Sequence, residues 1–255
     1  MSWVDRFSLA GRKALVTGGS KGIGAEICAV FAEAGADIVA LGRDAAGLAA
    51  TAETVRAHGR RCLTLTAEMA SPTEPVAACE RALAEWGTID ILVNAAGIAN
   101  VAPAVDFATE DWDRMMAVNL RAPFLTARTL APAMIAQGWG KIIMISSQTG
   151  VIALEDHAAY AASKGGLNAL TKSLCAEWAR HNVQVNAICP TVVMTPMGRQ
   201  VWGRPEKGDP FRNATPARRF AEPVEVADAA LYLASDASAM VNGALLMVEG
   251  GFTSV

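Results

Sequence analysis

The sequence is poor in the residues that build metal and disulfide sites. It has three histidines in 255 residues, none at metal-pair spacing. Its five cysteines (Cys28, Cys62, Cys79, Cys175, Cys189) are odd in number and form no C-x-x-C pair. That argues against a zinc site or a disulfide framework and fits a reducing compartment. Charge of one sign is lacking too: 22 Lys and Arg stand against 25 Asp and Glu, net −3. There is no electrostatic case for nucleic acid. No apolar run reaches the roughly 20 residues needed to cross a bilayer. Residues 1–12 carry charge and no apolar h-region, so they do not read as a signal peptide. What remains is the expectation of a cytoplasmic globular protein that handles small molecules without a metal.

Small and apolar residues are plentiful. Alanine alone accounts for 51 positions and glycine for 22. Enough larger apolar residues remain for one sizeable core. Seven short β-branched runs stand out: Lys13–Thr17, Ile38–Leu41, Cys62–Thr66, Ile91–Asn94, Lys141–Ser146, Gln184–Ile188 and Leu245–Val248. They alternate with helical stretches near 23–34, 44–57, 74–86, 111–137, 158–180 and 222–234. Strands apolar on both faces, each followed by a helix, predict a seven-stranded parallel sheet covered on both sides. The fold class is therefore α/β, doubly wound and Rossmann-type, with a ligand crevice at the strands' C-terminal ends. One domain spans 1–255. The single long connection, about 189–221, reads as a substrate lid.

The first strand runs into Thr17-Gly18-Gly19-Ser20-Lys21-Gly22-Ile23-Gly24, and a helix begins at once. Glycines there let backbone approach a pyrophosphate, and a helix N-terminus offers free N–H groups and its dipole. Strand 2 ends in Gly42-Arg43-Asp44. An acid at that point holds an adenosine ribose, whereas a base accommodates a 2′-phosphate. Arg43 with Lys21 favours NADP(H). Asp44 leaves NAD(H) open, although its simpler role is to cap the helix from Ala45.

Tyr160 and Lys164 stand at i and i+4, so they share one helix face. A nearby ammonium is expected to lower the phenol's pKa. Ser147 ends strand 5, at the edge where ligands bind. Asn94-Ala95-Ala96-Gly97 ends strand 4, and Asn119 interrupts an apolar helix. A polar Asn in such a place needs a partner or a purpose.

This ordered set resembles the short-chain dehydrogenase/reductase family over essentially the whole chain, from Lys13 to Gly251. The resemblance implies Asn119, Ser147, Tyr160 and Lys164 as a catalytic tetrad. It implies cofactor contacts from Gly18, Ser20, Lys21, Gly22, Ile23, Gly24, Arg43, Tyr160, Lys164, Pro190, the backbone of Val193, and Thr195. Asn94 and Gly97 would stabilise the central sheet and the adenosine side. Glu68 and Met69 replace the usual Asp and aliphatic residue against the adenine. A homotetramer built across the helices near 111–137 and 158–180 is also implied.

The stretch Pro190–Gly198, with Ser146-Ser147-Gln148 and the ending Val248-Glu249-Gly250-Gly251-Phe252, resembles the dicarbonyl (L-xylulose) reductase and polyol dehydrogenase branch. By that likeness Gln148, Leu154, His157 and Trp202 join Ser147 and Tyr160 at the substrate. The implied activity interconverts a ketone and a secondary alcohol on a small sugar-like or dicarbonyl substrate by hydride transfer. Alternatives are an NAD-dependent polyol or gluconate dehydrogenase, a 3-oxoacyl reductase, or a non-catalytic dinucleotide sensor. Six bases between 197 and 219 raise the question of an anionic substrate, against the plainer reading of a solvated face.

Overall fold

A computed structural model describes residues 2–255. Seven parallel strands form one sheet in the order β3-β2-β1-β4-β5-β6-β7. They are β1 (Lys13–Thr17), β2 (Asp37–Gly42), β3 (Cys62–Thr66), β4 (Ile91–Asn94), β5 (Gly140–Ile145), β6 (Val183–Pro190) and β7 (Leu245–Val248). The helices are α1 (Trp3–Phe7), α2 (Gly22–Glu33), α3 (Ala45–Ala57), α4 (Glu74–Trp86), α5 (Thr109–Met116), α6 (Ala122–Gln137), α7 (Ala158–Trp178), α8 (Pro196–Trp202), α9 (Pro205–Ala214) and α10 (Pro223–Ala234). The expected doubly wound α/β fold is the observed one.

Strand period makes two cores from one sheet. Ala14, Val16, Ile38, Ala40, Ile91, Val93, Ile143 and Ile145 face one way and meet Ile27 and Phe31 of α2, Leu48 of α3 and Val226 of α10. Leu15, Val39, Leu41, Leu92, Ile142 and Met144 face the other way, against Cys79 of α4, Leu130 of α6 and Leu167 of α7. Both faces of the central strands are buried, which is why β1, β2, β4 and β5 read as apolar runs, whereas the edge strand β3 alternates and exposes Thr64 and Thr66. Phe31 is fully buried, and truncating it to Ala is expected to cost about 3–5 kcal/mol.

Two expectations about helices need correction. The helix near 111–137 is not regular: α5 and α6 are joined through a π-helical turn, Ala117–Arg121, centred on Asn119. The extra residue per turn is tied to the Asn119 side chain, whose backbone partners are described below. Nor is the 189–221 connection a bare loop. It holds α8 and α9, each with Pro in its first turn. Pro and Gly inside these short helices hid their pattern in the sequence.

Candidate active site

The strand order reverses between β1 and β4, and that switch point carries the glycine turn. Gly18 is left-handed (φ +71°), and a Cβ there would come within 2.8 Å of the Ala96 nitrogen at the end of β4. Gly24, one turn into α2, passes so close that a Cβ would sit 2.4 Å from the Gly18 carbonyl oxygen. Neither position tolerates a side chain. Lys21 precedes α2 without a side-chain cap, and the first turn holds no acid. An uncapped N-terminus beside bare backbone leaves N–H groups and the positive dipole end for an anion. These residues fit the pyrophosphate of a dinucleotide. Ser20 and Lys21 lie on the turn, and Ile23 packs partly into the core below it.

On the adenosine side, Asp44 caps α3 by accepting the Gly47 N–H at 3.1 Å, as its simpler reading required. Arg43 is not free, because its guanidinium donates to Glu68 at 3.0 Å. Glu68 is held on both sides, since its other oxygen accepts the Ala70 N–H at 3.0 Å. Met69, next in the chain, is buried in the second core, only 4% exposed.

Across the switch point, Asn94 accepts the Thr126 hydroxyl at 2.8 Å and so ties β4 to α6. The Asn119 amide brackets Ile98, accepting its N–H and donating to its carbonyl, both at 2.9 Å, and also donates to the Ser163 hydroxyl at 3.1 Å. The π turn lets one side chain hold the β4 loop and α7 together. Gly97 lies where Asn119 and Lys164 converge: a Cβ there would stand 3.5 Å from Asn119 Oδ1 and 3.6 Å from Lys164 Nζ.

Lys164 is buried, and its ammonium donates to the Ile145 carbonyl at the end of β5, 2.8 Å away. Desolvation pushes its pKa down to about 8, and Cys189 opposes the shift. Its nitrogen lies 5.7 Å from the Tyr160 ring centre. The expectation that Lys164 lowers the Tyr160 phenol is not met. Desolvation of the phenol dominates and raises it, with the Ser147 hydroxyl pulling the other way. A raised phenol stays protonated at neutral pH, the form that donates a proton. Ser147 is buried and also holds the next turn through the Thr149 N–H at 3.2 Å.

The expected substrate residues divide. Gln148 is 2% exposed and keeps its side-chain oxygen buried with no hydrogen-bond partner. The His157 ring stands edge-on to Tyr160, with centres 6.3 Å apart, so the two share a face. Leu154 is half-buried in the turn leading to α7, its carbonyl accepting the His157 N–H. Trp202 belongs to an aromatic cluster with Phe211 (5.1 Å) and Phe220 (6.3 Å), so packing accounts for it without a substrate. Three of the six lid bases are paired locally. Arg199 pairs with Glu222, Arg212 with Asp209, and Arg219 with Glu225.

The lid lies over the glycine turn. A Cβ on Gly22 would come 3.2 Å from the Thr195 methyl, while the Thr195 hydroxyl caps α8 by accepting the Gly198 N–H. The Val193 carbonyl accepts the Thr195 N–H at 2.7 Å, and Pro190 is the last residue of β6. Two polar residues were missed. Thr191, just past Pro190, buries its hydroxyl without a partner beside a pocket of about 310 Å³ under the lid. Its place at a strand's C-terminal end was the available signal. Asn168, one turn beyond Lys164 on the same face, donates to the Gly150 carbonyl at 3.1 Å and joins α7 to the Ser147 turn. Among the described residues no cluster of three or more His, Cys, Asp or Glu could hold a metal ion.

A family model described as enoyl-(acyl carrier protein) reductase matches residues 18–253. The chain belongs to the short-chain dehydrogenase/reductase family. It is 42% identical to a D-threitol dehydrogenase of Mycolicibacterium smegmatis over 247 residues, covering 97% of this chain and 95% of that one. It is 38% identical to an NAD-dependent glycerol dehydrogenase of Listeria innocua, over 97% and 96%. It is 39% identical to an L-xylulose reductase of Bos taurus, over 96% and 97%. A gluconate 5-dehydrogenase of Burkholderia cenocepacia, solved with NADP and tartrate, superposes with a TM-score of 0.95 at 40% identity, covering 100% of both chains. The chain is an NAD(P)-dependent oxidoreductase of this family. No described helix is long and apolar enough to cross a membrane.

Proposed function

We propose that this short-chain dehydrogenase/reductase interconverts a ketone and a secondary alcohol on a small sugar-like or dicarbonyl substrate, with NADP(H) preferred over NAD(H). One observation carries the reading. Ser147, Tyr160 and the buried Lys164 meet at the C-terminal edge of the sheet, beside an uncapped glycine turn that fits a pyrophosphate. A nicotinamide dinucleotide, when bound, supplies the hydride chemistry. In the reductive direction Tyr160 donates its proton to the nascent alkoxide. Ser147 donates a hydrogen bond to the same oxygen, where charge grows. Lys164 holds the nicotinamide ribose hydroxyls and passes protons toward Tyr160, and Asn119 positions the relay behind it. Gln148, with its unpartnered oxygen, and His157 bind substrate hydroxyls. Thr195 and the Val193 backbone hold the nicotinamide carboxamide.

We also propose a cytoplasmic homotetramer. Trp112 on α5 and Phe124 on α6 are exposed and supply apolar surface on the face it would bury. The test is initial-rate turnover of L-xylulose, diacetyl, D-threitol and gluconate with each dinucleotide. Faster ketone reduction with NADPH than with NADH is expected. Turnover of gluconate alone would refute the substrate class, and turnover with NADH alone the cofactor preference.

A further inference from the structure

The ion pair at the adenosine end of the site joins two adjacent parallel strand ends. Gly42 closes β2 and pairs with Thr66 of β3, and the Ala67 N–H reaches back to the Gly42 carbonyl at 3.0 Å. Arg43 and Glu68 therefore leave the sheet side by side. A Cβ on Gly42 would stand 3.4 Å from the Ser20 hydroxyl, so Arg43 emerges directly against the glycine turn. Glu68 is anchored on its own side. Its backbone N–H donates to Glu74 at 2.8 Å, and one carboxylate oxygen accepts the Ala70 N–H at 3.0 Å. The other oxygen takes the Arg43 guanidinium at 3.0 Å.

We infer that Glu68 is a specificity-determining residue for the cofactor: it occupies Arg43 as an internal counter-ion that a 2′-phosphate must displace. The inference rests on the reading that a dinucleotide lies along the glycine turn. Both side chains of the pair are partly exposed, so the bond is cheap to break and acts as a brake rather than a block. A phosphate dianion outbids one carboxylate for a guanidinium, because it carries more charge and more acceptors. It must still approach a fixed negative charge. Burial works to raise the Glu68 pKa, yet the Ala70 N–H, Arg43 and Arg114 hold it below the usual carboxylate range, so that charge is present at neutral pH. A ribose without the phosphate does not compete for Arg43 and meets no such repulsion. The pair therefore narrows the gap between NADP(H) and NAD(H).

The experiment isolates the adenosine end by titrating the protein with 2′,5′-ADP and with ADP in a calorimeter, at low and at high salt. Glu68→Gln keeps an oxygen for the Ala70 N–H and loses only the charge, and Glu68→Ser is a second variant should the first misfold. The expected result is 2′,5′-ADP binding about two- to five-fold tighter in the variant, with ADP unchanged. The gain should shrink at high salt and vanish in Arg43→Ala/Glu68→Gln. Unchanged or weaker 2′,5′-ADP binding in the variant, or an equal gain for both ligands, overturns the role of Glu68. If the unaltered protein binds neither ligand, the dinucleotide reading of this end falls, and the inference with it.

Discussion

Strand β5 has a buried lysine at each end, and the two are alike in burial and in the direction of their pKa shift. Lys141, its second residue, is 2% exposed and donates to the Ser238 hydroxyl at 3.2 Å. Lys164, reaching in from α7, is 4% exposed and donates to the Ile145 carbonyl at the other end. Desolvation pushes both down to about 8. A lowered pKa therefore does not tell the two lysines apart. Position along the strand does. Lys164 stands at the C-terminal edge, where the loops open over the glycine turn and a phenol and a serine hydroxyl are its neighbours. Lys141 stands at the N-terminal edge, capped by α10 and the turn after it.

The comparison breaks first on activity. Tyr160→Phe should cut ketone reduction by about 10²- to 10⁴-fold, the range a positioned proton donor supplies. ADP titration of that variant should be unchanged. Lys164→Met should lose turnover on a similar scale, while Lys141→Met should retain it; comparable losses in the two lysine variants would mean that strand end does not matter.

The second difference concerns pH. Lys164 loses its proton near pH 8, so the rate of reduction should fall, and that of oxidation rise, between about pH 7 and 9. A pH–rate profile that is flat across this window would remove Lys164 from the proton path.

The third concerns stability. Each lysine binds its proton more weakly folded than unfolded, so between about pH 8 and 10.5 the unfolded chain holds more protons and stability rises with pH. Below pH 8 the full cost of burying the charge is present. Lys141→Met should therefore stabilise the fold at pH 7 by about 1–3 kcal/mol and flatten part of that rise. Ser238 is not orphaned, because its hydroxyl also reaches the Leu233 and Ser235 carbonyls. Denaturant unfolding at pH 7 and pH 10 decides it, and a destabilised variant at pH 7 would contradict the argument.

The smallest effect sharpens the pair. Asp236, exposed, is the acid that partly offsets the Lys141 shift. Asp236→Asn should cost less than about 1 kcal/mol at pH 7 and leave turnover untouched; a larger loss would show that Lys141 depends on a counter-ion.

Much of this was legible in the residues. All seven strands were placed within two residues, the central ones because a sheet buried on both faces demands unbroken apolar runs and the edge strand β3 from its alternation. The glycine turn was legible because no other residue fits at Gly18 and Gly24. Tyr160 and Lys164 were legible from helical spacing, and Asp44 as a cap from its place before Ala45. Less legible were contacts between residues far apart in sequence. Nothing near Arg43 announces that Glu68, twenty-five positions on, will take its charge. Trp202 packs against Phe211 and Phe220, nine and eighteen positions on, contacts that its own neighbourhood does not announce. The π turn at Asn119 could not be read from a pattern that a straight helix satisfies equally well.

The sequence by itself determined the sheet, the two-faced core, the glycine cradle and the identities of the groups that carry chemistry. Those follow from steric fit and from periodicity, which are local. Only the tertiary structure decided which charges are free, which polar atoms remain unpartnered, and that the Tyr160 phenol is raised rather than lowered. Those depend on what packs around each group from other elements, and desolvation there outweighs the nearest charge in sequence.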